Sequence, residues 1–243
     1  MPLSDRMDEV WDALRPVTDP ELDESVVELG FISDVAVDGF RVQVAFRLPT
    51  FWCSANFAFI MAEEMRDALA RLAWVERANI RLVDHFAADT INSAIAERGS
   101  FSDAFGVDAD LGEVRQAFRR KAYLGRMSAL IEMLRDEGRA AVDILALRIA
   151  DVQAIADGRV APASARFLQR RAEFGGSAAP DAPAFRKPEG ETIDADELRG
   201  YLRDIRMVRR SAEANGEMCR MLLKARQDFP VEGRPAQTLA AGD

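Results

Sequence analysis

Polar and apolar positions alternate strictly over a short stretch early in the chain. Phe31, Ser33, Val35 and Val37 interleave with Ile32, Asp34, Ala36 and Asp38, and after Asp38-Gly39 the returning segment sets Val42, Val44, Phe46 and Leu48 against Arg41, Gln43 and Arg47. Period-two alternation on both sides of Asp-Gly predicts a β-hairpin with one dry face and one wet face. From Phe57 the period changes: Phe57, Met61, Met65 or Ala68, and Leu72 recur at helical spacing, which predicts a helix covering the dry face. Val75, Ile80 and Leu82 mark a third strand, and Asp89 or Thr90 caps a short helix that ends near Gly99. Upstream, Ser4 is the expected N-cap of a helix to Leu14 with Val10, Trp11 and Leu14 on one face, and Thr18-Asp-Pro breaks it. The order α-β-β-α-β-α over residues 1–99 predicts a small two-layer α+β domain.

Beyond Gly99 only the 3.6-residue period remains, so the domain boundary is expected within Gly99–Gly106 and an all-helical domain over residues 107–229. One helix is expected from Asp110, with Glu113, to Asp136, carrying Val114, Phe118, Met127, Ile131 and Leu134. Val142, Leu145, Ile149 and Val152 mark a second, stopped by Gly158, and Pro162 opens a third that runs through Leu168 towards Phe174. After the breaker-rich loop Gly175–Pro183, Asp194 with Glu197 caps the longest helix, whose stripe holds Leu198, Leu202, Ile205, Val208, Ala212, Cys219 and Leu222. Residues 230–243 are expected to form a loose tail.

Charge divides the chain in the same place. Residues 1–99 carry 9 Arg and 18 Asp plus Glu, net −9, while residues 100–243 carry 23 basic and 23 acidic side chains. An acidic first domain disfavours nucleic-acid phosphates and suits a basic partner surface or metal cations, or simply solubility. Arg115, Arg119, Arg120 and Arg126 fall on one helical face, expected as a solvated face or a partner contact. No apolar run approaches the roughly 20 residues that cross a bilayer, and the polar segment Met1–Asp8 does not read as a secretory signal, so a cytoplasmic location is expected.

The chemistry is sparse. The helical half has no phosphate-binding glycine loop and no Glu-x-x-His pattern, and the two cysteines, Cys53 and Cys219, have no knuckle spacing. Cys53 stands out because a strand runs into it and a helix runs out, a placement where orphan N–H groups and the helix dipole favour a thiolate. Such a thiol binds soft metals or attacks electrophiles. The only histidine, His85, ends the third strand, and thiolate with imidazole is a donor pair for zinc or iron–sulfur ligation. Cys219 on its apolar stripe is accounted for by core packing. Phe51 and Trp52, beside Cys53, are either a docking patch for a client protein or a cap on the sheet edge. As a nucleophile Cys53 would lack an evident base other than His85, so a non-enzyme is expected.

Asp19-Pro-Glu-Leu, Val26-Val-Glu-Leu-Gly-Phe-Ile-Ser-Asp-Val, the hairpin, Thr50-Phe-Trp-Cys, the helix and Val75-Glu-Arg-Ala-Asn-Ile-Arg-Leu-Val resemble, over about residues 5–98, the iron–sulfur cluster assembly family of SufT and PaaD. The chain has Thr50-Phe-Trp-Cys-Ser where that family reads Thr-Pro-Gly-Cys-Pro, and Asp84-His-Phe-Ala-Ala-Asp in place of a Trp-Asp-Pro-Pro-Trp-like segment. The resemblance implies that Cys53 handles iron or a transiently held iron–sulfur cluster; His85 is the companion ligand candidate on the reading of its residue type and strand-end place alone. It also implies a partner surface, to which Asp19, Glu21, Phe51 and Trp52 are assigned. Arg170-Arg-Ala-Glu-Phe-Gly, Leu198-Arg-Gly-Tyr-Leu-Arg-Asp-Ile-Arg and Glu217-Met-Cys look like extensions of family members associated with soluble di-iron monooxygenases. The expected function is therefore maturation of a client metalloenzyme, with a di-iron monooxygenase hydroxylase as the specific candidate and a second copy of the chain as a further partner. The alternatives are a metal-free folding or assembly chaperone and a thiol-dependent enzyme using Cys53.

Overall fold

The computed structural model describes residues 2–108, 111–174 and 176–228, with backbone alone for Val208 and Gln227. Among the described residues two compact units emerge, one formed by those within 2–114 and 214–228 and the other by those within 115–213. The first is α+β and the second is helical, as the change of period predicts. The expected tail, residues 230–243, lies outside the described residues, as does Asp110 at the expected start of the long helix.

The first unit opens with α1 (Leu3–Leu14), which buries Val10 and Leu14. Its cap position is Pro2, and the Ser4 hydroxyl bonds the Asp5 carboxylate instead, so the cap lies two residues earlier than expected. Strands β1 (Ile32–Asp38), β2 (Arg41–Phe46) and β3 (Arg77–Leu82) form a sheet in the order β1-β2-β3. β1 and β2 are antiparallel, and β2 and β3 are parallel. The hairpin closes through Gly39 at φ +57°, a conformation that glycine adopts without steric cost. A bulge between Ile32 and Asp34 interrupts the alternation, turning Ser33 outward and Ile32 inward, contrary to the simple period-two reading. As the central strand, β2 buries Ala45 as well as Val42, Val44 and Phe46.

The crossover from β2 to β3 is α2 (Ala55–Leu69), whose Ala58, Met61, Ala62, Met65 and Leu69 enter the same core as Val42, Val44, Phe46, Ile80 and Leu82. α3 (Ala88–Glu97) packs on β3 and α2 and ends in Arg98 at positive φ. Next, α4 (Phe101–Phe105) stands where the sequence suggested a boundary. Phe101 meets Phe59 edge-on at 5.5 Å and Phe105 packs on the same core, so apolar anchoring keeps this stretch with the first unit.

In the second unit, α5 (Leu111–Asp136) supplies Tyr123, Met127, Leu130, Ile131 and Leu134 to a separate core. The single helix expected around Val142–Val152 is two, α6 (Ala141–Ala146) and α7 (Ile149–Gln153), because Leu147 and Arg148 are extended. α8 (Ala161–Arg171) follows, with Pro162 in its first turn. Arg171 is 1% exposed, and its guanidinium donates to the carbonyls of Phe174, Ser177, Pro183 and Ala184, fastening the breaker-rich segment that hydropathy alone leaves unstructured. Three arginines of the basic face of α5 have partners within the chain: Arg126 donates to Arg166 O at 2.6 Å and Gln169 at 3.0 Å, and Arg119 and Arg120 pair with Glu173 and Glu189.

The last helix, α9 (Leu198–Asp228), is continuous, yet its residues fall in both units. Leu198, Leu202 and Ile205 join the helical core, and Leu223 joins the core of the α+β unit. The sequence expectation gave all of this helix to the helical domain; the divergence arises because its last turns carry a second anchoring face.

Candidate functional site

Leu48 and Pro49 carry the chain out of the buried end of β2 into the turn Thr50–Cys53, and α2 begins two residues later with Ser54 as its cap. Cys53 is half-buried. Its Sγ accepts the Thr50 N–H at 3.4 Å and lies 3.1 Å from Thr50 Oγ1, while the Cys53 N–H turns back to Thr50 O at 3.4 Å. The hydrogen-bond partners of the sulfur thus both belong to Thr50 within the turn, one step earlier than the helix amides the sequence suggested. Threonine at this position supplies both a backbone and a hydroxyl contact.

His85 sits under this turn and is 5% exposed. The Ala87 N–H donates to its Nδ1 at 3.2 Å, which leaves the ring proton on Nε2, and Nε2 donates to Cys53 O at 2.8 Å. Burial, the largest effect, lowers its pKa, with the Arg226 charge adding to it and the hydrogen bond to Cys53 O and the Asp84 charge opposing it. With its one acceptor nitrogen occupied by a backbone N–H, the imidazole has no lone pair to offer a metal and none to take the thiol proton. In this arrangement His85, expected as a companion ligand, braces the backbone of Cys53. Among the described residues no group of three or more His, Cys, Asp or Glu side chains is placed to hold a metal ion.

The rim of the turn is apolar and open. Trp52 is 75% exposed, and Phe86, which the sequence reading overlooked, is 56% exposed. The Phe86 N–H donates to Phe51 O at 3.0 Å, so the two aromatic-bearing segments are stitched edge to edge, with Phe51 half-buried and Trp52 outward. Of the two readings of Trp52, the structure gives exposure. Asp19 moves the other way. It is buried, its Oδ1 accepts the N–H groups of Glu21 and Leu22 at 2.9 Å each, and desolvation pushes its pKa up to about 6 in spite of those donors. It organises the loop between α1 and β1 and presents no surface to a partner. Glu21 remains exposed but accepts from Asn215 of α9 at 3.2 Å.

The end of α9 closes the remaining side. Arg226 donates to Leu48 O at 2.6 Å and Asp84 O at 3.0 Å and pairs with the Asp84 carboxylate, joining the residues that lead into the Cys53 turn and into His85. Asp84 itself has φ +54°, the left-handed turn that lets His85 reach back. Arg220 pairs with Glu24, and Gly216 lies so near that a Cβ would stand 2.8 Å from the Glu24 carboxylate. Asn215, Cys219, Leu223 and Arg226 follow at steps of four, four and three, hence along one helical face, and the other three all touch the α+β unit. Cys219 is therefore inside this seam. Its thiol is pushed up to about 11, mainly by burial and then by the charges of Asp19, Cys53 and Glu21. The sequence reading of Cys219 as a core residue found its stripe but not its neighbours.

Residues 7–81 match the sequence model of a family described as iron-sulfur cluster assembly protein. Over 75 residues the chain is 40% identical to the iron-sulfur cluster carrier protein of Synechocystis sp., a match covering 31% of this chain and 21% of that protein. Over 93 residues it is 32% identical to an uncharacterised protein of Methanocaldococcus jannaschii, covering 37% of this chain and 95% of that one. The chain thus spans about a fifth of the cyanobacterial carrier and nearly all of the archaeal protein.

Proposed function

This chain belongs to the iron–sulfur cluster assembly family of SufT and PaaD, and on that footing we propose that it is a non-enzymatic maturation factor that passes iron or a labile iron–sulfur cluster to a client metalloenzyme. The observation that carries the reading is the half-buried Cys53 thiol, held by Thr50 and His85 in a rigid turn and flanked by the exposed Trp52 and Phe86. A soft donor suits iron and cluster cargo, and an aromatic rim suits a protein surface. His85 without a free acceptor nitrogen supports the non-enzymatic reading, since a thiol nucleophile would lack a base there. The resemblance of Arg170–Gly175 and Leu198–Arg206 to extensions associated with soluble di-iron monooxygenases favours the hydroxylase of such an enzyme as client. Among the described residues no helix is long and apolar enough to cross a membrane, in keeping with a client met in the cytoplasm.

A metal-free assembly chaperone is the second reading, favoured by the Trp52 and Phe86 rim, which needs no metal to bind a client. Co-expression of a di-iron hydroxylase with variants separates the two. Cys53→Ser should melt like the wild type but leave the client poor in iron. Trp52→Ala should weaken client capture by about 30-fold, the effect of losing an interface anchor worth about 2 kcal/mol. Full iron loading with Cys53→Ser would overturn cargo delivery and leave the chaperone reading.

A further inference from the structure

The family match ends at residue 81, and three of the groups that hold the Cys53 turn in place, Asp84, His85 and Arg226, lie beyond it. Their contacts run without a break to the thiol. Arg226 Nη1 donates to Leu48 O at 2.6 Å, two residues before Thr50, whose N–H and hydroxyl are the partners of Cys53 Sγ. Its Nη2 donates to Asp84 O at 3.0 Å and pairs with the Asp84 carboxylate, and Asp84 leads directly into His85, whose Nε2 meets Cys53 O at 2.8 Å. One guanidinium thus grips both segments from which the thiol turn hangs. Asp84 sits at φ +54°, a conformation that costs a non-glycine residue free energy and persists only where its surroundings impose it. Arg47 Nε lies 4.0 Å from the same carboxylate, too far for a hydrogen bond that could replace those of Arg226. The Arg226 and Asp84 side chains are 20% and 25% exposed, so solvent screens their attraction only in part.

We propose that Arg226 is a positioning residue for the Cys53 thiol, acting from α9 through Leu48 on one side of the turn and through Asp84 and His85 on the other. The proposal deepens the cargo-handling reading and rests on it for its consequence: a thiol fixed beside the aromatic rim keeps its cargo in one place, and withdrawal of the last turns of α9 loosens that hold. Both grips belong to one side chain, so both are lost together. The seat of α9 is then the point from which the hold on cargo is set.

The test reads the imidazole and the thiol without any cargo, in full-length Arg226→Met and in the control Arg220→Met. His85 is the single histidine, so its ring gives one unambiguous set of NMR signals. The wild type should show a slowly exchanging Nε2–H. In Arg226→Met that signal should be lost to exchange with water, and the Cys53 amide should exchange about tenfold faster or more, in keeping with the loss of a charged donor. Iodoacetamide should label Cys53 faster by a similar factor. Arg220, on the same helix, pairs with Glu24 instead, so Arg220→Met should loosen α9 yet leave His85 and Cys53 as in the wild type. Equal effects of the two substitutions on Cys53, or an unchanged His85 signal in Arg226→Met, would overturn the positioning role. In the wild type, where no substitution can misfold the chain, the His85 Nε2–H and the amides of residues 222–226 should share one dependence of exchange on urea. Independent opening would overturn the proposal as well. No metal enters these measurements, so their failure is distinct from failure of the cargo reading, which the iron loading with Cys53→Ser decides.

Discussion

Asp19 shows how one side chain is decided by competing effects at the residue scale. Two backbone N–H donors at 2.9 Å favour its carboxylate, but desolvation outweighs them, the Glu21 and Glu24 charges add to it, and the group titrates at about 6 instead of 3.8. Glu24 is itself paired with Arg220, and Cys219 faces the same loop from α9. The sign follows from proton counts: between pH 3.8 and about 6 the folded state holds a proton that the unfolded chain has lost, so this group's contribution is present below 3.8 and lost as pH rises through 6. Asn mimics the protonated carboxyl and keeps an acceptor oxygen. Asp19→Asn should therefore match the wild type near pH 4 and exceed its stability above pH 6 by up to about 3 kcal/mol, the equivalent of two pKa units. Denaturant melts of both proteins across that range provide the measurement, and parallel pH profiles would show that Asp19 is ionised throughout.

At the scale of the element, the decisive piece is the last part of α9. Propensity alone makes it helical, but its position depends on Leu223 near Gly30, the Glu24–Arg220 pair and the Arg226 contacts. Arg226 satisfies two carbonyls at the ends of β2 and β3 and offsets the cost of the left-handed Asp84. Arg226→Met keeps much of the side-chain volume and removes every donor. Hydrogen bonds from a charged group contribute about 1.5–3 kcal/mol, so hydrogen exchange across residues 215–228 should accelerate by roughly tenfold to a hundredfold. Alkylation of Cys219 should rise with it. Unchanged exchange would mean that apolar packing alone seats the helix.

For the whole molecule, the two cores set a limit on how far the parts are separable. Among the described residues the α+β core draws its buried members from the first hundred positions and from Leu223, so a fragment of residues 1–114 retains nearly all of it. Burial of a leucine contributes about 1.5–3 kcal/mol. The fragment should melt cooperatively but several degrees below the intact protein, and adding residues 214–228 by a flexible linker should restore most of the difference. A fragment without a cooperative transition would show that α9 is required for this unit to fold, and that the sequence-level boundary at Gly99 misses an obligatory part.

Local pattern determined a great deal here. The hairpin at Asp38-Gly39, the inward set Val42, Val44 and Phe46, the covering helix, the change to an all-helical half and the junction that holds Cys53 all follow from periods and turn residues that neighbours a few positions apart impose on each other. Tertiary structure decided what those local signals do not encode. Helical spacing put Cys219 on a stripe, but a stripe does not say which surface covers it, and the covering surface proved to be the core of the α+β unit. Strand-end position brought His85 to Cys53, yet the hydrogen bonds of both its ring nitrogens to backbone groups, which make it a brace for the Cys53 turn, come from backbone geometry that the sequence does not display. Asp19 read as part of a partner surface until burial of the α1–β1 loop enclosed it, and three arginines of a face read as solvated or as a partner contact are met by Glu173, Glu189 and the Arg166 carbonyl. In each case the missing information was long-range: sequence fixes which groups a segment displays, whereas desolvation and hydrogen-bond partners depend on segments far away along the chain.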